Sequence, residues 1–153
     1  MAKVTMDDIK ALREKTRAGI MDAKKALEES NGDMKKAEAW IKAKGIQRAE
    51  KKADREAKAG IIGSYVHMGS RIAALVELNC ETDFVAKTDD FVNLGRELAM
   101  QVASMNPKDV AELLAQPNIR DPKTTIEEMV KGVAGKVGEN VVVNKIVRFE
   151  VGK

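Results

Sequence analysis

Cysteine and histidine occur once each in the 153 residues, as Cys80 and His67. A single thiol excludes an internal disulfide and fits a reducing compartment, so a cytoplasmic protein is expected. With one histidine and no ligand-spaced cluster, a zinc site would depend almost wholly on carboxylates, so no metal is expected. Aromatic residues make up only 3% of the chain. That leaves little surface for stacking bases, and no zinc-finger or RNP-like pattern is present, so no direct nucleic-acid binding is expected. No apolar run approaches the ~20 residues of a membrane span. The opening MAKVTMDDIK has no apolar signal region or small-residue cleavage site, so no secretory signal is expected.

What is present is the mixture of a folded domain, with 33% charged and 44% hydrophobic residues. A chain of this size buries roughly 68–70% of its unfolded surface. The overall charge of +3 is unevenly spread, because residues 1–60 hold 16 of the 27 Lys and Arg but only 11 of the 24 Asp and Glu. A basic N-terminal third attracts acidic surfaces in general.

Three short helices open the chain. Thr5 followed by Asp8 forms a capping-box pattern, and the helix it starts should end near Thr16. A second begins around Gly19, carries Ile20, Ala23, Ala26 and Leu27 at helical spacing, and stops at Asn31-Gly32. The third shows Met34, Ala37, Trp40 and Ile41 and is expected to end at Gly45. Helices this short are marginal alone, so their apolar faces must share a small core. Residues 48–58, RAEKKADREAK, are nearly all charged or alanine and read as a solvated helical linker.

At Gly60 the period changes. Ile61, Ile62, Tyr65 and Val66, the turn Met68-Gly69-Ser70-Arg71 and the run IAALVELN read as a β-hairpin. An amphipathic helix with Phe91, Leu94, Leu98, Val102 and Met105 follows and stops at Asn106-Pro107. DVAELLAQ is a short helical stretch, and Thr124 or Thr125 caps a further helix that ends at Gly138. VVVNKIVRFEV supplies a third strand. The expected organisation is a three-helix domain (1–45), a charged linker (46–59) and an α+β core (60–153) with an antiparallel three-stranded sheet packed with helices.

Few residues invite chemistry. Gly132-Val-Ala-Gly135-Lys136 has the wrong spacing for a phosphate loop, and small residues in an amphipathic helix favour close packing instead. Glu77, Glu81 and Asp83 have no nucleophile or substrate cradle beside them. Cys80, next to acidic residues, reads as a small buried hydrophobe. No catalytic residue and no cofactor are expected. Thr82-Asp83-Phe84-Val85 lies between a strand and a helix, where function concentrates. Phe84 reads either as core beneath the loop with Asp83 as a local cap, or as an exposed apolar anchor with Asp83 as a polar director beside it.

The stretch LREKTRAGIMDAKKALEESNGDMKKAEAWIKAKG resembles the N-terminal, ubiquitin-associated-like three-helix domain of bacterial elongation factor Ts. VELNCETDFVAKTDDF resembles the signature of that family's core domain, and KVGENVVVNKIVRFEVG its C-terminal strand region. The resemblance implies a guanine-nucleotide exchange factor, with no covalent chemistry, acting on GDP-bound and nucleotide-free elongation factor Tu. It implies that Phe84, with Asp83 beside it in the Thr82–Val85 loop, wedges into the partner near the nucleotide's Mg²⁺ site. It further implies that Arg13, Ile20 and Met21 grip another helix of that partner. Arg17 and Ala23 stand where the family usually has glycine and cysteine, and a helical segment common between MNP and QP is largely absent. A single core module resembles the short members of the family, which implies a homodimer. Two other readings are a binding adaptor built on the three-helix domain and RNA binding through residues 48–58, the latter with strongly salt-dependent affinity.

Overall fold

The computed structural model describes residues 3–153. Thr5 caps α1 (Met6–Thr16), with the capping box to Asp8 formed in both directions. A left-handed Arg17, at φ 57°, ends α1 and leads through Ala18-Gly19 into α2 (Ile20–Glu29). Asn31 and Gly32, both at positive φ, turn the chain into α3 (Met34–Lys51), which Asp33 caps. Ile9, Leu12, Ala23, Ala26, Leu27 and Ala37 form a core shared by these three helices.

Gly45 does not end α3, which runs on to Lys51. The reason is a helix crossing. α3 meets α7 (Ile126–Val137) at Gly45 and Gly135, with their backbones in near contact. Glycine here lowers helix propensity but removes the side chain that would hold the two helices apart. The charged stretch is correspondingly not a free spacer: Ala49 is buried in the second core, and Lys131 pairs with Glu50 at 3.2 Å. Beyond α3, Lys52 donates to the Gly138 carbonyl at 2.8 Å and the Asn140 amide to the Arg55 carbonyl at 2.7 Å.

The sheet has the order β1-β2-β3 and is antiparallel throughout, built from β1 (Ala59–Val66), β2 (Ile72–Cys80) and β3 (Val142–Glu150). Gly69 and Ser70, at φ 86° and 55°, close the hairpin where the sequence predicts a tight turn. Between strands β2 and β3 lie α4 (Asp83–Ala86), α5 (Asp89–Met105), α6 (Val110–Ala115) and α7. Ala74, Val76, Leu78 and Cys80 alternate inward from β2 onto Phe91, Leu94, Leu98 and Val102 of α5, making the larger core. Met105, predicted on the same stripe, is half exposed because α5 ends there. Thr125 rather than Thr124 caps α7, and Gly138 closes it at φ 76°. Helices cover one face of the sheet only. On the other, Ile62, Val66, Leu75, Val147 and Phe149 are exposed.

Candidate partner-binding site

The loop between β2 and α5 is held at both ends. At its start, the carboxylate of Glu139 accepts from the backbone N–H of Glu81 at 3.1 Å and of Thr82 at 3.0 Å. It also accepts the Thr82 hydroxyl at 2.8 Å. Glu81 returns the contact by accepting from the Asn140 N–H at 2.8 Å, which ties the end of β2 to the segment joining α7 and β3. Thr82, with extended backbone, caps α4 by accepting from Val85 N–H at 3.3 Å. At the far end the Thr88 hydroxyl donates to the Val85 carbonyl at 2.8 Å and caps α5.

This single helical turn sorts its four side chains. Val85 and Ala86 are buried in the larger core. Asp83 and Phe84 point out, and Phe84 is 83% exposed. Of the two sequence readings of Phe84, burial beneath the loop is therefore overturned: one turn of helix can seat only one face, and Val85 with Ala86 takes the inner one. Thr82, not Asp83, is the local cap. Val85 anchors the turn from inside, and its side chain is not at the surface.

A second apolar surface starts α2. Ile20 is 50% and Met21 75% exposed, although periodicity assigned Ile20 to the helical core. As the first residue of α2 it sits beyond the stripe that Ala23, Ala26 and Leu27 bury. Arg13 is exposed beside it and donates from Nε to the Ala18 carbonyl at 3.1 Å, which fixes the turn before α2. Arg17, in that same turn, places Nη1 2.7 Å from Oδ2 of Asp90 in the first turn of α5. That ion pair links the turn leading to Ile20 and Met21 with the helix that follows Phe84.

Cys80 is buried, and burial first, then the Glu139 charge, pushes its thiol above the usual range, so it stays protonated and unreactive. No group of three or more His, Cys, Asp or Glu fit to hold a metal occurs among the described residues. His67 is exposed beside the hairpin turn and shares a hydrogen bond of 2.9 Å with the Tyr65 hydroxyl. A cleft of about 750 Å³ is lined by the α1–α2 turn, by α3 and by residues between Asn118 and Lys136.

Glu139 and Asn140 had no signal in the sequence. They act on residues more than fifty positions away, and a Gly-Glu-Asn after a helix reads only as a loop. Asp90 was equally silent, as one of two acids in a helical first turn.

The sequence model of the elongation factor Ts family matches residues 81–153, starting at the Glu81 that opens the clamped loop. Curated proteins of that name match over the whole chain. Elongation factor Ts of Prochlorococcus marinus strain MIT 9313 is 42% identical over 100% of this chain and 91% of its own length. That of strain MIT 9303 is 43% identical with the same coverage, and that of Synechococcus elongatus 39% over 100% and 90%. The chain belongs to the elongation factor Ts family. The alignments extend over 199 positions although this chain has 153 residues, so the relatives contain residues that this one lacks. Members of the elongation factor Ts family are translation elongation factors, and this chain joins them with the α+β architecture described above. Among the described residues no helix is long and apolar enough to cross a membrane.

Proposed function

We propose that this protein is a cytoplasmic guanine-nucleotide exchange factor that releases GDP from elongation factor Tu. The observation that carries the proposal is Phe84, an 83% exposed aromatic on a turn whose two ends are fixed by Glu139, Thr82 and Thr88. A lone exposed hydrophobe needs no explanation. An aromatic anchor on a backbone turn held by three neighbours has the turn's ordering entropy already met before binding, which favours a strong contact. Phe84 enters the G domain near the Mg²⁺ site with Asp83 making polar contacts beside it. Thr82 and Val85 hold the turn from behind.

Ile20, Met21 and Arg13 supply the second contact. They hold the partner while Phe84 displaces the elements that bind nucleotide. Exchange by this route needs no covalent step. The factor prefers the nucleotide-free form of its partner, and by linkage it weakens nucleotide binding by the factor by which nucleotide weakens its own. The two separate hydrophobic cores support a division of labour between residues 1–45 and residues 60–153, with 46–59 joining them.

The uncovered sheet face supports a homodimer. Ile62, Val66, Leu75, Val147 and Phe149 share one side of three adjacent strands, and two such faces bury each other in a sheet-on-sheet packing. Sedimentation equilibrium should give twice the 16.7 kDa chain mass. Phe149→Asp, at 67% exposure, should halve the measured mass without loss of helical signal. An unchanged mass in the variant places the interface elsewhere.

Release of a fluorescent GDP analogue from elongation factor Tu tests the exchange reading. Substoichiometric amounts of this protein should accelerate release over many turnovers. Binding without acceleration would overturn it and leave an adaptor built on the three-helix domain.

A further inference from the structure

Arg17 occupies a position its residue type disfavours. It is the residue that ends α1, in the left-handed region at φ 57°, where glycine is the usual occupant. Its guanidinium spans from that turn to Asp90, with Nη1 2.7 Å from Oδ2. Oδ2 is shut off from solvent and has no hydrogen-bond partner of good geometry, so Arg17 is its counter-charge. Among the described residues no other ion pair joins α1 or α2 to residues 52–153.

The three-helix unit is otherwise attached through α3. Its C-terminal half packs on α7 at the Gly45–Gly135 crossing, and α1 and α2 pack on its N-terminal half, with Asp22 of α2 also paired to Arg48 at 2.7 Å. The cleft of about 750 Å³ keeps the α1–α2 turn from packing on α7. The unit is therefore attached by the packing of α3 on α7 and by one electrostatic tie from the α1–α2 turn to α5.

We infer that the Arg17–Asp90 pair is a latch that fixes the spacing between the Ile20–Met21 surface and Phe84. Asp90 lies six residues beyond Phe84, on a helix whose next residue, Phe91, is fully buried in the larger core. Arg17 lies three residues before Ile20, in a turn braced by the Arg13–Ala18 hydrogen bond. Both are positioning residues. The tie sets the distance at which two separate contacts meet one partner, and a fixed span raises the effective concentration of the second contact once the first has formed. The effect on exchange rests on the function proposed above; the latch itself does not.

Electron-spin distance measurements on the full chain, with labels at Lys25→Cys and Lys87→Cys, read the span without any partner. Cys80 is buried and stays unlabelled. With the labelled chain diluted in excess unlabelled chain, so that one copy of a dimer carries the labels, a single narrow distribution is expected in the parent and in Arg17→Lys, which keeps the charge. Arg17→Gln and Asp90→Asn should both broaden it, and the double variant should be no broader than either single one. Salt at about 1 M should broaden the parent distribution, since the Arg17 guanidinium is more than half exposed and its charge is screened over ~3 Å at that strength. Identical distributions in parent and Asp90→Asn, or additive effects in the double variant, would overturn the latch. With elongation factor Tu, Asp90→Asn should raise the half-saturating concentration for GDP release by up to about fivefold, the upper end for a partly exposed ion pair, at an unchanged maximal rate. A broadened span with unchanged half-saturation would overturn the positioning role. Absence of exchange in the parent would instead count against the function and leave the distances to judge the latch.

Discussion

Phe84→Ala should remove most of the acceleration of GDP release while the protein keeps its fold. An aromatic anchor at the centre of an interface contributes about 2–4 kcal/mol, so release at limiting factor should slow by roughly 30- to 1,000-fold. Stability should be unchanged or slightly higher, because an 83% exposed side chain has little burial to lose and alanine is the better helix former. Thermal melting followed by circular dichroism, run beside the release assay, checks both halves. The contrast is Val85→Ala one position on. Val85 is 6% exposed, so its truncation removes core burial of about 1.5–3 kcal/mol and lowers the melting temperature. A drop in stability for Phe84→Ala as large as that for Val85→Ala would mean that the ring is packed in solution, and the wedge would be lost with it. The kinetic signature matters too. A residue that acts by displacing partner elements lowers the maximal rate, whereas loss of Met21, a holding contact, raises the half-saturating concentration.

Gly135→Ala should destabilise the protein, and Gly45→Ala should not. A Cβ at residue 135 would lie 2.5 Å from Gly45 Cα and 2.6 Å from its carbonyl carbon and oxygen. These are backbone atoms and have no rotamer by which to move away. The two helices would have to separate, at an overpacking penalty of about 1–3 kcal/mol, offset in part by the ~1 kcal/mol that alanine adds to helix propensity. A net loss of about 1–2 kcal/mol, toward the upper part of that range because the clash is with backbone, lowers the melting temperature by about 2–8 °C for a chain of this size. The reciprocal Cβ at residue 45 meets Gly135 Cα only at 3.4 Å, the edge of ordinary contact, so that substitution should stay within about 1 kcal/mol of the parent. Equal effects of the two substitutions would contradict this crossing geometry. Because α3 carries the three-helix unit, a shift at Gly135 also moves Ile20 and Met21 relative to Phe84.

Sequence alone determined the local structure, and the reason is physical range. The Thr5–Asp8 box, a threonine cap at Thr124 or Thr125, the Gly138 stop and the hairpin at Met68–Arg71 all depend on groups within about five residues. The inward alternation of Ala74, Val76, Leu78 and Cys80 and the stripe from Phe91 to Val102 are periodicities of one strand and one helix. Resemblance added the family and with it Ile20, Met21 and Phe84, but it contained no reason for their exposure. That was decided in three dimensions. Gly45 looked like a helix stop because its penalty is local, whereas its benefit is a contact with Gly135, ninety residues on. Phe84 could be read as core or as an exposed anchor, because its apolar neighbours do not say which side of the turn it takes. Val85 and Ala86 fill the inner side of its turn, and Glu139, 57 residues from Thr82, holds that turn in place. Arg17 and Asp90 were two charges in separate helical contexts until the fold brought them to 2.7 Å. Propensity and period act along the chain, but which side of a turn faces solvent depends on what other elements have already occupied the space beneath it.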